Sequence, residues 1–150
     1  MTLLTDADRI RNLLGQYCER IDAGDFAGVG ELFAHGGLAA GEGASPPFAS
    51  GAAAVAAFYA AGTRLHDGSP CTKHVVADTV IAEPDPAGIV VARSSYVVFQ
   101  AVDGFALQAI IAGRYVDRFA QDGAGSWHFA ERRFLVDLVG DLSHHWSGPT

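Results

Sequence analysis

Tyr17-Cys18-Glu19-Arg20-Ile21-Asp22-Ala23-Gly24-Asp25-Phe26 is the stretch on which the fold turns. It closes one amphipathic helix, opens a second, and leaves the Asp22 carboxylate beside an apolar face. Upstream of it, Ile10, Leu13, Leu14, Tyr17, Cys18 and Ile21 recur at helical spacing on one side. Arg9, Arg11, Asn12, Gln16, Glu19 and Arg20 fill the other. Thr5 and Asp8 stand at the spacing of a capping box, and Gly24 supplies the stop. Asp25 then caps a short helix carrying Phe26, Val29, Leu32 and Phe33.

Residues 36–47 read as a loop. Ser50 reads as the cap of a third helix over 52–61, apolar nearly all round and therefore buried. From Thr72 onward the pattern is extended, with strands over 73–82, 89–102, 105–119 and 127–138. Asp103-Gly104 is a two-residue hairpin signal between two of them, and Asp122-Gly123-Ala124-Gly125 turns into the last. Helices followed by long antiparallel strands make an α+β domain. Strands this long are expected to bend, so that the sheet and helices enclose a cup.

Composition narrows the function classes. With 150 residues, 49% hydrophobic and 18% charged, the chain suits one domain over 1–150, with a core near 6–138 and a tail over 139–150. So apolar a chain is expected to cover part of its surface with another subunit. A net charge of −7 argues against nucleic acid or an anionic membrane as partner. No secretory signal pattern opens the chain, and its apolar runs fall short of a membrane span, so a cytoplasmic location is expected. Cys18 and Cys71 make neither a disulfide framework nor a metal-ligand pattern. No phosphate loop, nucleophile elbow or nicotinamide or flavin fingerprint occurs, and no cofactor or metal is expected.

Several short motifs, in order, resemble the SnoaL-like branch of the NTF2-like superfamily. They are Tyr17-x4-Asp22-x2-Asp25, Leu32-Phe33-Ala34, Thr72-x-His74, Gly113-x-Tyr115-x-Asp117, Trp127-x-Phe129 and Arg132-Arg133. The resemblance runs from about Asp6 to Asp137. It implies a cone-shaped α+β barrel, with N-terminal helices packed on a strongly curved, mixed and mainly antiparallel sheet. It also implies a homodimer through the outer sheet face. In dehydratases of the scytalone and bile-acid type, an aspartate ends the first helix and a histidine opens a strand; Asp22 and His74 match them, and Tyr17 matches a tyrosine of the bile-acid type. Those enzymes carry a further His or Asp on the next long strand. Counting from His74, that position falls at about Phe99, and no His, Asp or Glu lies between Ile89 and Val102.

On this reading His74, Asp22 and Tyr17 are the catalytic candidates. An imidazole beside a carboxylate in a dry cavity is an acid–base unit. The helix C-terminus and partial burial would raise the pKa of Asp22, and a protonated His74 close by would pull it the other way. Arg132 is favoured over Arg133 as the arginine facing the cup, where it could hold a substrate anion or instead pair with Glu131 or Asp137. Phe99, Val97 and Phe129 are expected to line the same space, Arg114 either to line it or to meet acidic residues across a dimer interface, and Trp146 to fold back over its mouth. The function implied is a cofactor-independent dehydratase, isomerase or cyclase acting on a hydrophobic polyketide, aromatic or steroid-like molecule. The alternative is a non-catalytic binding or structural module, such as a partner resembling a dioxygenase small subunit.

Overall fold

The computed structural model describes residues 2–148. Helix α1 spans Asp6–Asp22, and the Thr5–Asp8 capping box forms in both directions. The Thr5 hydroxyl accepts from the Asp8 N–H at 3.2 Å, and the Asp8 carboxylate accepts from the Thr5 N–H at 2.9 Å. Its apolar stripe buries Ile10, Leu14, Tyr17 and Ile21. The turn after it passes through Gly24 at φ +71°, a conformation glycine adopts without strain. Helix α2, Phe26–Leu32, starts where the Asp25 carboxylate accepts from the Gly28 N–H at 2.9 Å.

Strands β1 (Gly37–Ala40) and β2 (Ala49–Ser50) lie inside the segment read from sequence as a loop and a cap. Helix α3, Ala52–Gly62, has Gly51 at its N-cap with no side-chain cap, so Ser50 does not take that role. The remaining strands are β3 (Thr72–Ile81), β4 (Val90–Val102), β5 (Phe105–Gln121) and β6 (Trp127–Val139).

The six strands form one sheet in the order β2-β1-β6-β5-β4-β3. Only β1 on β6 is parallel; every other neighbour pair is antiparallel. The order is linear, with β2 and β3 as free edges. This corrects the expected cone-shaped barrel: the sheet is open, neither closed nor strongly curved, and the architecture is α+β with N-terminal helices on a mixed, largely antiparallel sheet. The main core lies between the helices and one sheet face, where Tyr17, Val29, Phe33, Leu38, Val55, Tyr59, Phe119 and Phe129 pack together.

A register shift between β5 and β6 decides which β6 side chains meet the helices. Between Arg118 and Phe119 the register with β6 shifts, so that Phe129 pairs with Phe119 while Arg132, three residues on, pairs with Asp117. Strict alternation from Phe129 would have turned Glu131 and Arg133 inward; the extra residue turns Arg132 inward instead.

Candidate active site

Asp22 is the last residue of α1, and Thr72 opens β3. The period of two puts His74 on the same face as Thr72, toward the helix end. Three hydrogen bonds converge on the carboxylate. Asp22 Oδ1 takes the His74 Nδ1 contact at 2.6 Å and the Thr72 hydroxyl at 2.9 Å, and Oδ2 accepts the His74 backbone N–H at 2.9 Å. With Nδ1 committed to the carboxylate, Nε2 is the ring nitrogen left to face a ligand. Both side chains are largely covered, 7% exposed for His74 and 15% for Asp22. Of the opposing effects on the Asp22 pKa, the lowering ones prevail. Burial alone would raise it, but the His74 bond and charge, that residue's N–H and the Thr72 hydroxyl outweigh burial and lower the pKa below 3.8.

Tyr17 lies against this pair, its ring centroid 6.2 Å from that of His74 and edge-on to it. Its hydroxyl shares a 2.6 Å hydrogen bond with that of Tyr59 on α3. Two phenols hold two protons and use one between them, so the second remains for donation. Burial raises the pKa of both, which keeps them neutral donors.

Arg132 faces the helices, and its charge is already engaged. It makes a bidentate pair with Asp117 at 2.9 and 2.8 Å, with both side chains fully buried. Its guanidinium carbon stands 3.7 Å from the centroid of Tyr115 and 4.2 Å from that of Tyr17. Burial by itself would lower the arginine pKa; the Asp117 charge and bonds reverse that, and the group stays protonated. A clamp on a substrate anion is thus pre-empted by the chain's own carboxylate. Phe129 stacks on Phe33 at 4.7 Å in the same buried layer. Arg133 faces the other way and binds backbone oxygens of Ala40 and Ser45.

Three candidate lining residues lie elsewhere. Val98 is the cross-strand partner of His74, whereas Val97 pairs with Val75 and Phe99 with Lys73. Cross-strand partners share a face, so Val97 and Phe99 point away from the helices. Arg114 shares that outer face and is held by Asp137 at 2.9 Å and Glu42 at 3.5 Å. On β4 the residues turned toward His74 are Tyr96, Val98 and Gln100; Tyr96 stacks on Tyr115 with centroids 4.3 Å apart.

Trp146 packs on α3 and on the residue that follows that helix. It bridges Thr63 and lies 5.2 Å, ring to ring, from Phe58. The tail also brings His145, a residue with no signal in the sequence beyond its pairing with His144. Burial lowers the His145 pKa to about 4, the charge of His74 adds to that, and Asp22 opposes it. Two surface hollows flank these elements. One of about 540 Å³ lies on the outer sheet face beside Glu42, Arg118, Glu131 and Arg133. The other, about 670 Å³, lies beside the tail at His66, Cys71, Asp103 and His144. Neither is lined by Asp22 or His74. Among the described residues no group of three or more His, Cys, Asp or Glu is placed to hold a metal ion, and no helix is long and apolar enough to cross a membrane.

The SnoaL-like domain model matches residues 2–133. Among solved structures, ActVI-ORFA from Streptomyces coelicolor is similar at 18% identity and TM-score 0.70, over 87% of this chain and 96% of that one. An NTF2-like protein with a cystatin-like fold from Novosphingobium aromaticivorans is similar at 24% identity and TM-score 0.68, over 87% and 81%. A candidate scytalone dehydratase from the same species is similar at 17% identity and TM-score 0.67, over 91% and 87%. No curated protein matches the chain. At these identities the structural likenesses concern the fold.

Proposed function

Because this chain belongs to the SnoaL-like domain family, we propose that it is a cofactor-independent acid–base enzyme, a dehydratase, isomerase or cyclase, acting on a hydrophobic small molecule. The observation that carries the proposal is the His74–Asp22 pair, with the ring at 2.6 Å from the carboxylate and the backbone N–H of the same histidine on the other oxygen. Such double anchoring fixes the ring's orientation and tautomer before substrate arrives.

His74 Nε2 would take a proton from the carbon next to a substrate carbonyl. The imidazolium that forms would be balanced by Asp22, which the lowered pKa keeps ionised. Returned to another carbon, the same proton completes an isomerisation; given to a leaving hydroxyl, it completes loss of water. The free phenolic proton of the Tyr17–Tyr59 pair would serve a substrate oxygen, and the surrounding Phe33, Tyr115 and Phe129 favour an apolar, ring-containing substrate. That one similar structure is described as a candidate scytalone dehydratase agrees with this class.

The test is incubation with a panel of bicyclic and tetracyclic hydroxy ketones, scored for water loss or double-bond movement. His74→Ala and Asp22→Asn should each lower turnover by about 100-fold or more. Full turnover in both variants overturns the assignment. We also propose a homodimer through the outer sheet face, where Val75, Val80 and Leu138 are exposed and the half-buried Val91, Val97 and Val116 extend the patch.

A further inference from the structure

A reaction at a carbon between a carbonyl and a hydroxyl involves two oxygens; the phenol pair offers a single donor, whereas a developing enolate takes more than one hydrogen bond and the hydroxyl needs an acceptor. The structure leaves two buried polar atoms without a partner on the tail side of His74: Gln100 Oε1 and His145 Nδ1. Gln100 is 1% exposed. Its amide orientation is fixed, because both groups it contacts are carbonyls: Nε2 donates to Pro70 O at 3.1 Å and to His144 O at 2.9 Å. Oε1 is therefore a true unpaired acceptor, and a costly one.

Position follows from the ladder. Gln100 is the cross-strand partner of Thr72, whose hydroxyl is on Asp22, and His74 lies two residues along the same face. That separation is about 7 Å along the strand. The tail is pinned above this rung by several bonds. His144 O accepts from Gln100 and contacts His66 Nε2 at 2.8 Å, Arg64 N–H donates to His145 O at 2.8 Å, and Ser147 N–H donates to Gly62 O at 2.8 Å. The His145 main chain is thus held while its buried ring nitrogen is left unpaired, and His74 and Asp22 are the groups whose charges reach it.

We propose that His145 and Gln100 form the second oxygen subsite of this site, His145 Nδ1–H donating to the substrate carbonyl oxygen and Gln100 Oε1 accepting from its hydroxyl. The substrate class is then a β-hydroxy ketone, and the inference rests on His74 and Asp22 acting as the acid–base pair. His74 Nε2 takes the α-proton, the C–H electrons move into a carbon–carbon double bond, and the carbonyl oxygen becomes an enolate held by His145. As the C=O re-forms, the electron pair moves to the Cα–Cβ bond. The β-hydroxyl leaves and takes the proton from His74 as water. A neutral imidazole suits this donor role, since an imidazolium would give its proton away.

The probe is 2-naphthol, a phenol that mimics the enolate, read by side-chain nitrogen NMR of the histidines and by binding titration. Binding should shift the His145 Nδ1–H signal as well as that of His74. His145→Ala should weaken binding by about tenfold, the loss of one buried hydrogen bond. Gly62→Ala should weaken it comparably with His145 intact, because a methyl there collides with the Trp146 ring that seats the tail. The double variant should be no worse than either. If 2-naphthol shifts His74 but leaves His145 unmoved, and His145→Ala binds as wild type does, the subsite is wrong and the acid–base reading stands. If neither histidine responds, both fail.

Discussion

Replacing Asp117 by Asn isolates an ion pair whose two side chains are fully buried. Asp117 and Arg132 are each 0% exposed and joined by two bonds of 2.9 and 2.8 Å. The substitution leaves a guanidinium that stays charged among Tyr17, Tyr115 and Phe129. Breaking such a pair from one side costs about 3–5 kcal/mol. For a domain of this size each kcal/mol is about 2–4 °C of melting temperature, so a fall of roughly 10 °C is expected. Urea unfolding followed by tryptophan fluorescence measures the free energy directly. The double substitution Asp117→Leu with Arg132→Met removes both charges and keeps an unbranched chain against the tyrosine rings. It should recover most of the loss. A single variant within about 1 kcal/mol of wild type would refute the account of Arg132 as a core residue bound to Asp117.

Other consequences concern pH and assembly. The folded Asp22 pKa is below its ordinary 3.8, so its stabilising contribution is present above that pH and is lost as pH falls through the folded value. Asp22→Asn should flatten that acid limb in a plot of unfolding free energy against pH, and an unchanged limb contradicts the geometry. His145 is a base with its folded pKa lowered from 6.5 to about 4, so protonation favours the undocked tail and seating should weaken as pH falls from 6.5 toward 4. Trp146 fluorescence should report that change, and His145→Ala should remove it from this window. On the outer face, Leu138→Asp places a charge on a residue 70% exposed, and it should convert a dimer to a monomer in analytical ultracentrifugation with secondary structure unchanged.

Local chemistry was legible in the sequence and register was not. The Thr5–Asp8 capping box, the Asp25 cap and the spacing of Ile10, Leu14, Tyr17 and Ile21 act over a few residues, and each forms as read. The pairing of Asp22 with His74 was also legible, through motif order. Strand β1, Gly37-Leu38-Ala39-Ala40, has no β-branched residue; it is extended because β6 lies beside it, which is tertiary information. Phe99 and Val97 were placed on the wrong face because counting along the chain from His74 cannot supply the pairing with β4, and a shift of one residue inverts every side chain. The curved barrel failed for a related reason: strand length does not say whether the edges meet. Nothing in the tail's composition distinguishes His145 from a solvated histidine, since its burial comes from bonds to Arg64, Gln100 and Gly62 that are distant in sequence.

The most direct measurement is solvent deuterium exchange at the α-carbons of 2-tetralone and of a tetracyclic ketone, followed by NMR with purified protein and no added cofactor. If His74 is the base held by Asp22, the wild-type protein accelerates exchange above buffer, and His74→Ala abolishes the acceleration. Asp22→Asn lowers it by about 100-fold. Exchange that is no faster than buffer, or that survives in His74→Ala, contradicts the account.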